Sequence, residues 1–332
     1  VLHTRLRLLG AQQAEAGVIE LSSDGLTPSE QLLAIRQVVL ELMQEARRCL
    51  HQLLPLLVDA GIHILDYQGL TDQQRTAANE YFEQMVSPVL TPLAVDPGRP
   101  FPHISNMSLN LAVLIRDPLG QERFARVKVP NTLPRLLPIK TPSDAVDGMG
   151  GAPPVTLVWL EQVIAANLHR LFPGMEVVEA HPFRVTRDAE MAIQEMEAED
   201  LLDTIERSVW ERRFGSVVRV TMDPGMPAPI RDLLTENLEI GPNDIYTVDP
   251  PLGSSDLMAL HALDRRGLKD APFLPAIPPA LGEESDLFAA IRRQDILLHH
   301  PYDSFTPVVD FLRAAARDPN VLAIKQTLYR IG

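Results

Sequence analysis

Prolines divide this chain before any other feature does. Pro88, Pro92, Pro97, Pro100 and Pro102 crowd one short span, and Pro272, Pro275, Pro278 and Pro279 another. A pyrrolidine ring fixes φ and offers no amide donor, so it interrupts both helix interiors and central strands. The sequence therefore reads as three textures separated by two stiff stretches. At about 150 residues per domain, 332 residues suggest about two domains, and 45% hydrophobic content suffices for a core in each.

The first texture is helical. Thr27-Pro28-Ser29-Glu30 places a Thr N-cap, a Pro at the first helical position and a Glu three residues after the cap, which is a capping box. Leu32, Ile35, Val39, Leu42, Met43, Ala46, Leu50 and Leu53 follow at three- and four-residue spacing, predicting an amphipathic helix that ends or kinks at Pro55. Cys49 borders this stripe and reads as a buried thiol. A second box, Thr71-Asp72-Gln73-Gln74, predicts a helix to about Val86, halted before Pro88.

The middle texture mixes strands and helices. In Ser108 to Ile115 the residues Leu109, Leu111, Val113 and Ile115 share one face by alternation, Asn110 takes the other, and the more apolar far end predicts burial on both faces. Further strands are predicted over 124–129, 155–159, 176–185 and 217–221, with helices over 160–172, 189–213 and 228–238. The helix carrying Glu190, Glu195, Glu197, Glu199, Asp200, Asp203 and Glu206 spreads its carboxylates around its circumference, so a solvated face explains it better than a metal. Residues 148–154 read as a loop, and 271–279 as an extended connector and domain boundary. The last texture predicts short helices over 285–293 and 307–317, then a buried strand over 321–329, the rhythm of an α/β domain.

Charge and motifs exclude several functions. The formal charge of −14 argues against a general nucleic-acid coat. The densest apolar run, Leu53-Leu54-Pro55-Leu56-Leu57-Val58, is far short of the ~18 residues that cross a bilayer, so a soluble protein is expected, with no amphipathic basic anchor. A single cysteine builds neither a disulfide framework nor a thiolate metal site, and fits a reducing compartment. The opening Val1-Leu2-His3 lacks the features of a signal peptide, and the sequence is expected to be a piece of a longer one. No glycine-rich nucleotide loop or closely spaced His-Glu-His pattern is present.

Four places could carry chemistry. His299 and His300 are adjacent in a loop and read as structural, since neighbouring side chains diverge. Arg99 and His103 lie on a proline-rich turn that either faces a ligand or packs a domain entrance, the turn role being favoured. At the end of the last expected strand, Lys325, Thr327 and Tyr329 alternate with Gln326, Leu328 and Arg330. Ligands of open α/β sheets bind beyond such strand ends, so Arg330 is either a forked phosphate ligand or a surface ion-pair partner.

At these residues the chain resembles a family. The run from Leu90 to Asn106, centred on Asp96-Pro97-Gly98-Arg99-Pro100-Phe101-Pro102-His103, is similar to the long-chain bacterial polyphosphate kinases. So are Phe183-Arg184-Val185-Thr186-Arg187-Asp188, Glu211-Arg212-Arg213-Phe214-Gly215, His300-Pro301-Tyr302-Asp303-Ser304-Phe305, and the run from Asp318 to Arg330. The resemblance covers essentially the whole chain in order. It implies a multidomain α+β and α/β fold: residues 1–65 as the end of an N-terminal helical domain, 66–276 as a mixed α+β head domain, and 277–332 as the start of the first C-terminal, phospholipase-D-like catalytic domain.

The resemblance also implies an activity, the reversible transfer of the terminal phosphate of ATP to inorganic polyphosphate through a phosphorylated histidine, with Mg²⁺. That histidine belongs to a Lys-Ile-His-Ala-Lys-like motif not found in these 332 residues, and the nucleotide-contacting asparagine belongs to a motif likewise not found here. Arg330 alone carries over, to a phosphate and Mg²⁺ site. As a cation with donors only, it would touch phosphate oxygens that also hold the metal and would not ligate the metal itself. The implied partners are ATP or ADP, polyphosphate and further copies of the chain through the head, without nucleic acid. The implied location is cytoplasmic, with peripheral association at the inner membrane left open. An assembly or docking module without catalysis is the alternative, and a phospholipase-D-like hydrolase a third.

Overall fold

The computed structural model describes residues 21, 23–95, 101–140, 153–187, 216–282 and 286–327. It separates into two compact units, Val1–Leu263 and Asp264–Gly332.

The first described helix of the larger unit is α1, Pro28–Asp59, which starts where the capping box requires: Glu30 accepts from the Thr27 amide at 2.8 Å and the Thr27 hydroxyl accepts from the Glu30 amide. Pro55 does not end the helix. Pro55 and His51, whose carbonyl loses its amide donor, are both exposed, so solvent can replace the missing bond. The half-buried face includes Leu32, Ile35, Val39, Met43, Leu50, Leu54 and Leu57, while Leu42 and Leu53 are exposed. Cys49 lies off that face and is exposed, not buried as its position beside the stripe suggested. Two arginines on α1 moor the helix to the unit. Arg36 donates to the Asn243 carbonyl at 2.6 Å and covers the Tyr246 ring, and Arg47 donates to the Pro250 carbonyl at 2.5 Å.

After β1, Ile62–Leu65, the second capping box opens α2, Asp72–Tyr81, with Gln74 in the role that Glu30 plays in α1. The helix continues as a π-turn over Phe82–Val86, the expected length with a looser last turn. The strands β2, Leu93–Ala94; β3, Leu109–Arg116; β4, Glu122–Lys128; β5, Leu136–Ile139; and β6, Val155–Trp159 follow. Then come α3, Leu160–Ala166; α4, Leu168–Leu171; β7, Glu176–Arg187; β8, Val217–Met222; α5, Ala228–Asn237; and β9, Ile245–Thr247.

Two sheets result. The larger has the order β2-β4-β3-β7-β8-β9 and is antiparallel except for the parallel β8–β9 edge; the smaller has the order β1-β6-β5. β3 lies between β4 and β7 and is buried on both faces, as its composition predicts. Leu109, Leu111, Val113 and Ile115 join Phe82, Val86, Val158, Leu160 and Ile164 in one core. On the opposite face Ala112 joins Phe183, Val185, Val220 and Met222 beneath Ile230 and Leu234 of α5. Each of these buried side chains larger than Ala112 contributes about 1.5–3 kcal/mol of transfer free energy, which fixes the register of the sheet.

The smaller unit holds α6, Leu287–Arg293, capped by Asp286, and α7, Thr306–Arg317. The strand expected over 321–329 is not formed over its described part: residues 321–327 have no regular structure, and Leu322 is 97% exposed. A strand needs a hydrogen-bonded neighbour, and among the described residues none pairs with this segment. The acidic helix expected over 189–213 lies outside the described residues, as does most of the 148–154 loop.

Candidate functional site

The polar centre of the larger unit forms where β5 begins and β6 ends. Leu136 pairs with Trp159 in the register of these strands, and the Leu160 amide donates to the Arg135 carbonyl at 2.8 Å, which places Arg135 against the first turn of α3. Glu161, in that turn, is buried and accepts a forked pair from Arg135, Nη2 to Oε1 at 2.6 Å and Nε to Oε2 at 3.1 Å. Nη1 of Arg135 reaches the 3₁₀ turn Ser254–Ala262, donating to Asp256 Oδ2 at 2.6 Å and to the Gly253 carbonyl at 3.0 Å. The guanidinium also lies 4.9 Å from the centre of the Trp159 ring. Burial opposes its charge, and Glu161 followed by Asp256 more than offset it, holding the Arg135 pKa above its ordinary value.

A second guanidinium stands beside the first. Arg184 is carried on β7 opposite Leu109 of β3, facing away from its buried neighbours Phe183 and Val185. Its Nε donates to the carbonyl of Met107 at 3.3 Å, and its Nη1 rests over Gly253, where no side chain intervenes. Burial pulls the Arg184 pKa below its ordinary value; the Asp256 carboxylate works against that shift and the Arg135 charge adds to it. Around these groups opens a cleft of about 580 Å³, also lined by Ser105, Lys128, Asn131 and Ser255. Lys128 ends β4, and its ammonium lies 3.4 Å from the Ser105 hydroxyl.

Two further polar groupings brace the larger sheet. Asn110, fully buried on β3, accepts from Arg126 Nε at 2.8 Å and donates to Ser108, while Arg126 Nη2 is buried with no hydrogen-bond partner among the described residues. His181 lies between carboxylates, Nε2 at 3.0 Å from Glu179 and Nδ1 at 3.2 Å from Asp223.

The residues singled out in the sequence are not gathered here. Arg330 and Tyr329 lie outside the described residues, and so does Arg99. Lys325 and Thr327 are exposed on the irregular segment, so the two-faced alternation expected of them is not formed. His103 is exposed in a stretch without regular structure. His299 and His300 build a turn: Asp303 accepts from the His299 amide at 2.7 Å, His300 Nδ1 lies 2.8 Å from the Asp303 carbonyl, and the rings pack near Tyr302 and Phe305. Among the described residues no group of three or more His, Cys, Asp or Glu is arranged to hold a metal ion, and no helix is long and apolar enough to cross a membrane.

Fold and site together define a multidomain α+β chain with a cationic cleft at one end of its larger sheet. Family models match it in three consecutive pieces: polyphosphate kinase N-terminal domain over residues 3–65, polyphosphate kinase middle domain over 73–260, and polyphosphate kinase C-terminal domain 1 over 286–332. The chain belongs to the polyphosphate kinase family. It is 46% identical over 331 residues to a polyphosphate kinase of Prosthecochloris aestuarii, covering 98% of this chain and 46% of that protein. It is 45% identical over 324 residues to a polyphosphate kinase of Mycobacterium tuberculosis, covering 95% and 44%. The chain thus spans just under half the length of these relatives. The crystal structure of a polyphosphate kinase from Porphyromonas gingivalis superimposes with a TM-score of 0.71 at 22% identity, over 96% of this chain and 44% of that one, a likeness of fold.

Proposed function

We propose that the complete protein is an ATP:polyphosphate phosphotransferase. The supporting observation is 46% identity across 98% of the chain to a protein named polyphosphate kinase. In such a reaction a neutral imidazole nitrogen bonds to the γ-phosphorus of ATP as the β–γ P–O bond breaks and ADP leaves. The terminal oxygen of polyphosphate then bonds to that phosphorus as the P–N bond breaks, which returns the imidazole and lengthens the polymer by one unit. The histidine belongs to a Lys-x-His-x-Lys motif that these 332 residues do not contain, so they alone are expected to transfer no phosphate.

Arg330 is assigned to the phosphate site, where its planar fork grips oxygens of the transferring group. Mg²⁺ would arrive with ATP, bound chiefly by phosphate oxygens and water. The proposal includes a helical part over 1–65, a head over 66–276 and a phospholipase-D-like part from 277, and the succession of N-terminal, middle and C-terminal family models supports a three-part chain. Self-association through the head, a cytoplasmic location and docking at the inner membrane face belong to the same proposal.

The test is expression of the complete reading frame and assay of ATP-dependent polymer formation. Polymer that disappears when the histidine of the Lys-x-His-x-Lys motif is replaced supports the kinase. A complete protein that binds partners but makes no polymer returns the chain to an assembly module.

A further inference from the structure

The cleft at the sheet end holds more positive charge than its own carboxylates neutralise. Lys128, Arg135 and Arg184 line it, and Asp256 is the one carboxylate among its lining residues. Arg135 is occupied by Glu161 and Asp256. Arg184 donates to the Met107 carbonyl and Lys128 to the Ser105 hydroxyl, both neutral, and among the described residues neither has an acid within ion-pairing reach. Elsewhere in the larger unit Arg116 holds Glu122 and Glu176, Arg123 holds Asp117 and Arg75 holds Asp72, while Arg36, Arg47 and Arg126 are held by carbonyls or an amide; Arg184 and Lys128 differ from these in sharing one open cleft. In a chain with 44 carboxylates, two half-buried cations left without one in a single concavity mark a place built for an external anion.

We propose that this cleft binds a chain of phosphoryl groups, with Arg184 as the forked donor and Lys128 as the point charge. Asn131 and Ser255 line the same space and supply neutral hydrogen-bonding groups. A volume of about 580 Å³ lies within the ordinary range for small-ligand sites, roughly 300–1,000 Å³. Arg184 is preorganised: the Met107 carbonyl holds its Nε, and Gly253 leaves room for Nη1. The choice of phosphate among oxyanions rests on the proposed function. The residues that line the cleft all fall within 105–259.

Two sources supply this chemistry, the triphosphate tail of a nucleotide and inorganic polyphosphate. The experiment is calorimetric titration of the 332-residue chain with sodium tripolyphosphate at fixed ionic strength, repeated with ATP as competitor. Saturable one-to-one binding is expected, weakened about tenfold or more by Arg184→Gln and by Lys128→Met, and unchanged by Arg123→Gln outside the cleft. Displacement by ATP would identify the nucleotide tail as a ligand, and failure of ATP to displace would assign the cleft to polyphosphate. If Arg184→Gln melts below the wild type, Lys128→Met decides, because Lys128 stands at a strand end with one weak contact. Absence of saturable binding, or folded variants that bind as tightly as the wild type, overturns the proposal. Neither result depends on polymer formation, so it stands or falls separately from the kinase assignment.

Discussion

The guanidinium of Arg184 fills the space where a side chain at Gly253 would begin. Gly253 also has φ +80°, a conformation that L side chains seldom adopt, and it is this backbone conformation that requires glycine there. Gly253→Ala is expected to destabilise the larger unit by about 1–3 kcal/mol, mostly through backbone strain, since Nη1 is the far end of a flexible side chain and can swing away. A denaturation midpoint equal to that of the wild type would show that the turn relaxes without cost.

Arg135 and Glu161 have side chains only 9% and 5% exposed, which makes them a buried pair and not a surface one. Glu161→Ala leaves two buried guanidinium donors without their acceptor while Asp256 still faces the charge, and is expected to cost about 1–3 kcal/mol. Replacing both, Arg135→Met with Glu161→Leu, should recover much of that loss, because the one carboxylate left without its partner, Asp256, is 43% exposed and open to solvent. Denaturant midpoints of the single and double variants give the comparison. A cost below about 1 kcal/mol for Glu161→Ala would place the pair among weak surface contacts.

These two relationships were illegible in the sequence, and the reason is separation along the chain. Arg135 meets Glu161 across 26 residues and Asp256 across 121, distances at which residue spacing carries no geometric information. Alternation along β7 does turn Arg184 away from Phe183 and Val185, but only the folded loop at Gly253 shows what it meets. Local signals did better. Both capping boxes and the two-faced burial of β3 formed as read, because caps and alternation are set within a few residues. Cys49 was misread because the packed face of α1 is narrower than its apolar residues suggest: Leu42, Ala46 and Leu53 belong to the sequence stripe and are exposed. The segment 321–327 shows the converse, an apolar run with the composition of a strand and no partner among the described residues.

The two capping boxes differ by one titratable group, which gives an internal control for pH. The amide of Thr27 and then its hydroxyl donate to Glu30, holding the Glu30 carboxyl below its ordinary range against a small opposing effect of burial. A depressed folded-state value means that the stabilisation is complete above the unfolded value, about 4.3, and is lost as pH falls through the folded one. Gln74 makes the equivalent contact with Thr71 and does not titrate. Hydrogen exchange at the Thr27 amide, corrected for intrinsic rate, should therefore accelerate on acidification below about pH 4, while that at Thr71 holds. Parallel behaviour of the two amides would remove Glu30 from the cap.

Arg330 carries the proposed contact to the transferring phosphate, and its removal separates that role from a surface ion pair. A forked donor that tightens on the oxygens as charge redistributes in the transition state is expected to be worth about 10²-fold in rate or more. Arg330→Ala in the complete protein should slow polymer synthesis by that factor at an unchanged melting temperature. Arg330→Lys should recover only part of the rate, since an ammonium keeps the charge but loses the two-pronged geometry. Initial rates of labelled phosphate transfer from ATP measure both. Equal rates for Arg330→Ala and the wild type would assign Arg330 to the protein surface and leave the phosphate to be held by other donors.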